Sequence, residues 1–248
     1  MNKVNDVMLK GLKIGDRRFY VIADDKMPQM RHIEPPFYMG NEWERAISKV
    51  LSLKKWHNMI FLDIGAAFGW HSWVALECGL PVCAFEPNKL NFQVLSANIS
   101  RYGRASFFNV GLGDATHVSL LRCNHQNHGG PTFVCGETTL MPDGQEGMSD
   151  WSIICELDQV NAPLRGKNCI TKIDAEGYAL QILVGGELTF RRCKLFMIEL
   201  HTDKEREHVY DWLGYYGYEI RHIKGTDREG CFAGDKDTLD SLPEVEYE

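Results

Sequence analysis

What the chain lacks narrows its function first. No apolar run approaches the ~20 residues that a membrane-spanning helix needs. The amino terminus, Met1-Asn2-Lys3-Val4-Asn5-Asp6, has no apolar signal core, so a cytoplasmic protein is expected. Basic charge is scarce: 27 Lys and Arg stand against 34 Asp and Glu, a formal net charge of −7. A generic nucleic-acid binder presents a basic face, so no nucleic-acid partner is expected. None of the eight cysteines forms a C-x-x-C pair, which excludes zinc-ribbon spacing. Cys83, Cys155 and Cys169 sit inside apolar runs, where a thiol behaves as a small hydrophobe. Reduced, structural thiols are expected rather than disulfides. Internal repeats are also missing. What is present is 248 residues, 44% of them hydrophobic, which is enough core for one large α/β domain.

Two short apolar-rich runs, residues 8–14 and 17–23, flank Gly15-Asp16 and read as a β-hairpin. Residues 24–38 carry Pro28, Pro35 and Pro36 and read as a loop or extended arm. Residues 1–40 are thus a hairpin and cover, and residues 41–248 the main domain. Asn41 can cap a helix to about residue 53, with Glu42 and Glu44 in its first turn. From residue 59 strands (59–63, 81–86, 105–110) alternate with helices (70–78, 89–100), which implies a parallel sheet covered on both faces. Residues 117–122 look like an added strand. Residues 124–150 are polar and glycine-rich, so a mobile loop that closes over a substrate is expected. Strands resume at 152–156, 169–174 and 194–200. A helix over 204–215 and a closing antiparallel pair, 218–223 with 230–234, finish the domain.

The densest signal is Phe61-Leu62-Asp63-Ile64-Gly65-Ala66-Ala67-Phe68-Gly69-Trp70. A strand ends in an acid, and a loop of small residues leads into a helix. An open α/β fold receives a nucleotide-like ligand at such a strand end. Gly65 and Gly69 permit close backbone approach because they lack a Cβ. Glu86 ends the next apolar run, where such folds place the carboxylate that holds a ribose. An adenosine-containing cofactor follows. A dinucleotide site would read Gly-x-Gly-x-x-Gly, but Asp63 takes the place of the first glycine. A carboxylate suits a cationic, phosphate-free ligand, and S-adenosylmethionine fits. Trp70 and Trp73, at helical spacing, read as packing.

Lys172-Ile173-Asp174-Ala175-Glu176-Gly177-Tyr178 is the second constellation. Asp63, Glu86, Asp174 and Glu199 each close or nearly close a strand, and His201 follows Glu199 by two positions. The chain resembles the FkbM-type family of S-adenosylmethionine-dependent methyltransferases. The resemblance rests on residues 62–69, Ala84-Phe85-Glu86-Pro87-Asn88, Asn109-Val110-Gly111-Leu112-Gly113-Asp114, Leu157-Asp158, residues 172–178 with Leu183, and Glu199. It covers about residues 59–201 and does not reach the first forty residues or residues 124–150. It implies a Rossmann-like class I methyltransferase fold. The sheet would be seven-stranded and mostly parallel, with an antiparallel C-terminal strand. It implies O-methylation of a hydroxyl on a sugar or other small-molecule acceptor. Carried onto this sequence, Asp63, Gly65, Ala67 and Gly69 would line the methionine side of the cofactor. Glu86 would take the ribose hydroxyls, and Gly113 and Asp114 would flank the adenine. Asp174 would sit near the transferred methyl, with Glu176 beside it. Asp174, Glu176 and His201 are the candidate bases, histidine matching neutral pH best. Asp174, Glu199 and His201 also suit a divalent ion, but no metal is assigned. Three other readings stay open: a nucleic-acid methyltransferase, a dinucleotide-dependent oxidoreductase and a non-catalytic cofactor-binding module.

Overall fold

The computed structural model describes residues 2–4, 7–14, 17–23, 42–124, 127–133, 148–160, 164, 166–223 and 229–243. Its first elements are β1 (Asn2–Val4), β2 (Val7–Ile14) and β3 (Arg17–Ala23), an antiparallel sheet of three. The sequence pattern indicated the β2–β3 hairpin but not the short strand before it. Helix α1 (Glu42–Leu51) leads into the main domain. There follow β4 (Ile60–Ile64), α2 (Trp70–Glu77), β5 (Val82–Phe85), α3 (Lys89–Ile99) and β6 (Ala105–Phe108). An insertion then contributes β7 (Gly111–Leu112), β8 (His117–Asn124), β9 (Asn127–Phe133) and β10 (Met148–Cys155). The chain returns with β11 (Cys169–Ile173), α4 (Ala179–Gly185), α5 (Glu187–Phe190) and β12 (Cys193–Leu200). It closes with α6 (Asp203–Tyr215), β13 (Glu219–His222), β14 (Glu229–Gly234) and α7 (Lys236–Asp240).

The central sheet has seven strands in the order β6-β5-β4-β11-β12-β14-β13. Only β14 runs antiparallel to its neighbours. The chain starts in the middle at β4, steps outward to β6, then returns to the middle at β11 and steps outward the other way. The strand order therefore reverses between β4 and β11, and their carboxyl ends splay into a crevice. This order fixes where the site must be before any side chain is considered.

Strand alternation sorts the core into two layers, since successive side chains point to opposite faces. Ile60, Leu62 and Ile64 of β4 pack with Ile182, Leu183, Phe190, Val209 and Leu213 of the later helices. Phe61 points the other way, into a layer with Ile47, Val50, Leu76, Val94 and Leu95 from α1, α2 and α3. Trp70 and Trp73 lie in that second layer, with Phe19 of β3 edge-on to Trp70 at 5.3 Å. They are packing residues, as their spacing indicated. Trp43 packs on Phe232 at 5.9 Å.

Besides the packing of Phe19 on Trp70, a buried amide ties the hairpin to the main domain. Asn98 of α3 accepts from the Tyr20 N–H (2.7 Å) and donates to the carbonyls of Tyr20 (3.0 Å) and Phe68 (2.8 Å). Asn98 thus links the hairpin to the glycine loop.

One expectation needs correction. Residues 124–150 read as a loop, but residues 127–133 and 148–150 are strand. They belong to a second sheet, β7-β10-β8-β9. Pairing with β8 supplies the backbone hydrogen bonds, and strand propensity is too weak to announce that from a glycine-rich segment. Residues 125–126 and 134–147, the rest of the segment expected to close over a substrate, lie outside the described residues. Among the described residues no helix is long and apolar enough to cross a membrane. Cys78, Cys83, Cys155, Cys169, Cys193 and Cys231 are free thiols.

Candidate active site

The crevice at the carboxyl ends of β4, β5 and β11 holds a cleft of about 500 Å³, counting its open mouth. Gly65, Ala67, Glu86, Asp174 and Glu176 supply its polar wall. Ile64, Phe85, Val110, Leu112, Tyr178 and Ile182 supply an apolar one. Gly65 has φ +73° and lies so close to β11 that a Cβ there would come within 1.7 Å of the Asp174 carbonyl oxygen. The chain can turn there only as glycine. Two other residues on this wall, Ala67 (φ +48°) and Glu176 (φ +49°), hold left-handed backbone without being glycine. Such conformations are unfavourable for L-residues and concentrate at functional sites.

Glu86 sits where β5 ends and is only 2% exposed. Its Oε1 accepts the Asn88 N–H and its Oε2 the Ala67 N–H, each at 2.8 Å. Burial pushes its carboxyl up to about 7; the two N–H groups, the Lys172 charge and Asn91 oppose that only in part. A carboxylate has about four acceptor sites, so with these donors in place it can still accept from a ligand hydroxyl.

Asp63 is placed differently. It does not line the cleft and is fully buried beneath the glycine loop. Its Oδ2 accepts from the N–H (3.0 Å) and the hydroxyl (2.7 Å) of Ser72, in the first turn of α2. The carboxylate caps that helix, where the macrodipole also favours an anion. Gly69 likewise belongs to the frame: it is the N-cap of α2, and a Cβ there would meet Leu95 at 2.4 Å. Gly113 packs under α4, the carbonyl of Gly113 meeting Gly185, while Asp114 is exposed at the edge of the insertion. Of the residues expected around the cofactor, Gly65, Ala67, Glu86 and Asp174 are brought together on the cleft wall; Asp63, Gly69, Gly113 and Asp114 are not.

The catalytic candidates do converge. His201 Nδ1 lies 3.4 Å from Glu176 Oε2, and His201 Nε2 lies 3.9 Å from Glu199 Oε2. Asp174, Glu176 and His201 each offer one ligand atom, all within 4.8 Å of one another. That is close enough for a divalent ion, with Glu176 in place of the Glu199 expected from sequence. Asp174 is flanked by the Lys172 ammonium at 3.2 Å. Burial alone would raise the Asp174 carboxyl. The Lys172 charge, a hydrogen bond with Glu199 and the nearby His201 outweigh it and hold the group at about 2.

Sequence reasoning gave no role to three residues here. Glu205 accepts the His201 N–H (2.9 Å) and the Ala179 N–H (3.0 Å), so one carboxylate from α6 fixes both the histidine and the first turn of α4. Ser72 holds Asp63. Lys172, buried in a central strand, holds Asp174. A lysine inside an otherwise apolar run was a signal for the last; the first two had none.

Leu157-Asp158 has a structural role. Asp158 accepts the N–H groups of Leu188 (2.9 Å) and Thr189 (2.8 Å) and the Thr189 hydroxyl (2.6 Å), capping α5. Asp158→Ala is expected to lower stability by about 1–2 kcal/mol, the value of a lost cap. Chemical denaturation should show this with cofactor affinity unchanged; an affinity loss beyond ~3-fold would place Asp158 in the site instead.

An open, mostly parallel sheet with one antiparallel strand near its edge and a cleft at its switch point defines a Rossmann-like methyltransferase-class fold. The sequence profile of the Methyltransferase FkbM domain matches residues 63–220, more than half of the chain. The chain belongs to the FkbM methyltransferase family. Similar solved structures include a methyltransferase FkbM from Methylobacillus flagellatus KT, at 19% identity and TM-score 0.49, covering 85% of this chain and 55% of that one. This chain thus spans little more than half of that relative. Others are a precorrin-6y C5,15-methyltransferase from Geobacter metallireducens GS-15 (14%, 0.43, covering 78% and 88%) and an rRNA methylase from Streptococcus thermophilus (12%, 0.41, covering 81% and 95%). No curated protein sequence matches the chain.

Proposed function

We propose that the chain is an S-adenosylmethionine-dependent O-methyltransferase whose acceptor is a hydroxyl on a sugar or another small molecule. The observation that carries the cofactor is the buried Glu86. Both its oxygens are oriented by backbone N–H groups, and the carboxylate lines the cleft. That suits the vicinal hydroxyls of a ribose. The apolar wall of Phe85, Val110, Leu112 and Tyr178 suits a flat adenine, and the carboxylates of Asp174 and Glu176 suit the cationic methionine end. Bound S-adenosylmethionine supplies an electrophilic methyl group. The protein's part is to hold the acceptor hydroxyl in line with it and to accept the hydroxyl proton. His201 lies beside the Glu176 and Glu199 carboxylates, with its backbone N–H held by Glu205, which fits it to take that proton. Asp174 and Glu176 would orient the acceptor. The net charge of −7 and a cleft walled by carboxylates favour an uncharged, hydroxyl-bearing acceptor over a polyanionic nucleic acid.

The test is twofold. Calorimetry should give a micromolar-order dissociation constant for S-adenosylmethionine. Labelled methyl should then pass from it into one component of fractionated small-molecule extract. NADH binding with no S-adenosylmethionine binding would refute the cofactor, and methyl transfer to RNA with none to small molecules would refute the acceptor.

A further inference from the structure

Lys172 has no part in the reading above, yet it sits at the point where the fold reverses. It is 3% exposed, in the middle of the seven-stranded sheet. Register puts it directly opposite Asp63 in the β4–β11 ladder. Its ammonium lies 3.2 Å from Asp174 Oδ2, 3.2 Å from the Gly65 carbonyl oxygen and 3.7 Å from Asp63 Oδ1. An ammonium has three N–H donors. The Gly65 carbonyl and Asp174 lie at hydrogen-bond distance and Asp63 at ion-pair distance, so the ammonium is met from three places: the end of β4, the glycine loop after it and the turn after β11. Glu44 of α1 adds negative charge from a fourth.

A buried lysine is expensive, and an apolar residue of similar size would pack the same strand without a desolvation penalty. A lysine here is therefore explained by what it holds. Asp63 has its other oxygen committed to Ser72, so it cannot follow if the glycine loop shifts. Asp174 keeps 23% of its side chain exposed, and with its counter-ion lost it is left to Glu199 and the nearby His201. We infer that Lys172 is a positioning residue, whose ammonium locks the Asp174 carboxylate against the Gly65 loop and so aims it at the methionine end of the cofactor. This rests on the cofactor reading above. Lys172 touches no reacting atom. It acts through Asp174.

The measurement that separates positioning from simple structural support is discrimination between two ligands of nearly the same shape. S-adenosylmethionine carries a sulfonium charge, and S-adenosylhomocysteine does not. A loosened site loses both ligands equally; a misaimed carboxylate loses the cation preferentially. Calorimetry on folded Lys172→Met should show the preference for the sulfonium ligand reduced by roughly fivefold or more, the scale expected when a charged group is misplaced. Asp174→Asn should reduce it by a similar factor, and the double variant should show no further reduction, because both changes remove one interaction. If Lys172→Met does not fold, Asp63→Asn combined with Lys172→Met removes the buried charges together, and the same comparison is made in that background. An unchanged or increased preference, or reductions that multiply in the double variant, overturns the inference. A wild-type protein that binds neither ligand fails the cofactor reading and takes this inference with it; wild-type binding with unaltered discrimination in the variants fails this inference alone.

Discussion

Asp174→Asn should lower turnover at least ~10²-fold, the scale of lost positioning or base catalysis, while the protein still folds. The substitution keeps the shape of the side chain and removes its charge. Asp174 lies past the end of β11, on the cleft wall rather than in the packed layers, so the core is untouched. Some stability is lost, and its pH dependence is specific. The folded carboxyl is held at about 2, below its ordinary 3.8, so the ionised group stabilises the native state above that ordinary value. This contribution fades as pH falls through about 2, and the asparagine variant lacks it at every pH. A melting temperature lower by a few degrees at neutral pH, roughly what 1–2 kcal/mol gives, is the expected accompaniment. Cofactor affinity should fall less than turnover if Asp174 also orients the acceptor, and equally if it serves only the cofactor. His201→Ala is the companion measurement: a similar loss with a flattened acidic limb of the pH profile makes the imidazole the base. Full turnover in both Asp174→Asn and Glu176→Gln would remove the active site from this turn.

Cofactor affinity should weaken about tenfold between pH 8 and pH 6, because Glu86 gains a proton over that range. Burial raises its carboxyl from 4.5 to about 7. Between those values the native protein keeps a proton that the unfolded chain has lost, so native stability falls as pH rises through that window. Binding moves the opposite way. Both backbone N–H groups already point at the carboxylate, and ribose hydroxyls are further donors, so the ionised form is the one the cofactor prefers. Affinity therefore rises with pH until the group is fully ionised. Glu86→Gln should abolish the pH step and weaken binding at pH 8 by about 1.5–3 kcal/mol, the value of a charge-assisted hydrogen bond. A variant that keeps the wild-type pH dependence of binding would assign the step to another group and take Glu86 away from the ribose.

Much of this architecture is written in periodicity. Alternating apolar runs bounded by acids and glycines marked β4, β5, β11 and β12 within a residue or two, and the closing pair β13–β14 as antiparallel. Those signals are local, because a strand buried on both faces must be apolar along its length. The polar lining of the cleft was legible to the same depth. Gly65, Ala67, Glu86, Asp174 and Glu176 sit at strand ends, and strand ends in such a sheet converge. The strands of the insertion were not legible. Residues 127–133 are strand because β8 offers them partners, and pairing between segments leaves little trace in composition.

The sequence by itself determined most elements of the central sheet, the sheet class, the family and the turn that carries the candidate chemistry. Only the tertiary structure decided what each acid does. Asp63 and Glu86 look alike in the sequence, both closing a strand before a loop. Asp63 faces the layer that contains α2, so the free N–H groups of that helix take its carboxylate. Glu86 lies beyond its strand and turns into the crevice. Lys172 meets Asp63 only because β4 and β11, far apart in the chain, pair in one register. A side chain's partners are set by the register and layering of distant segments, and a single sequence read along its length contains neither.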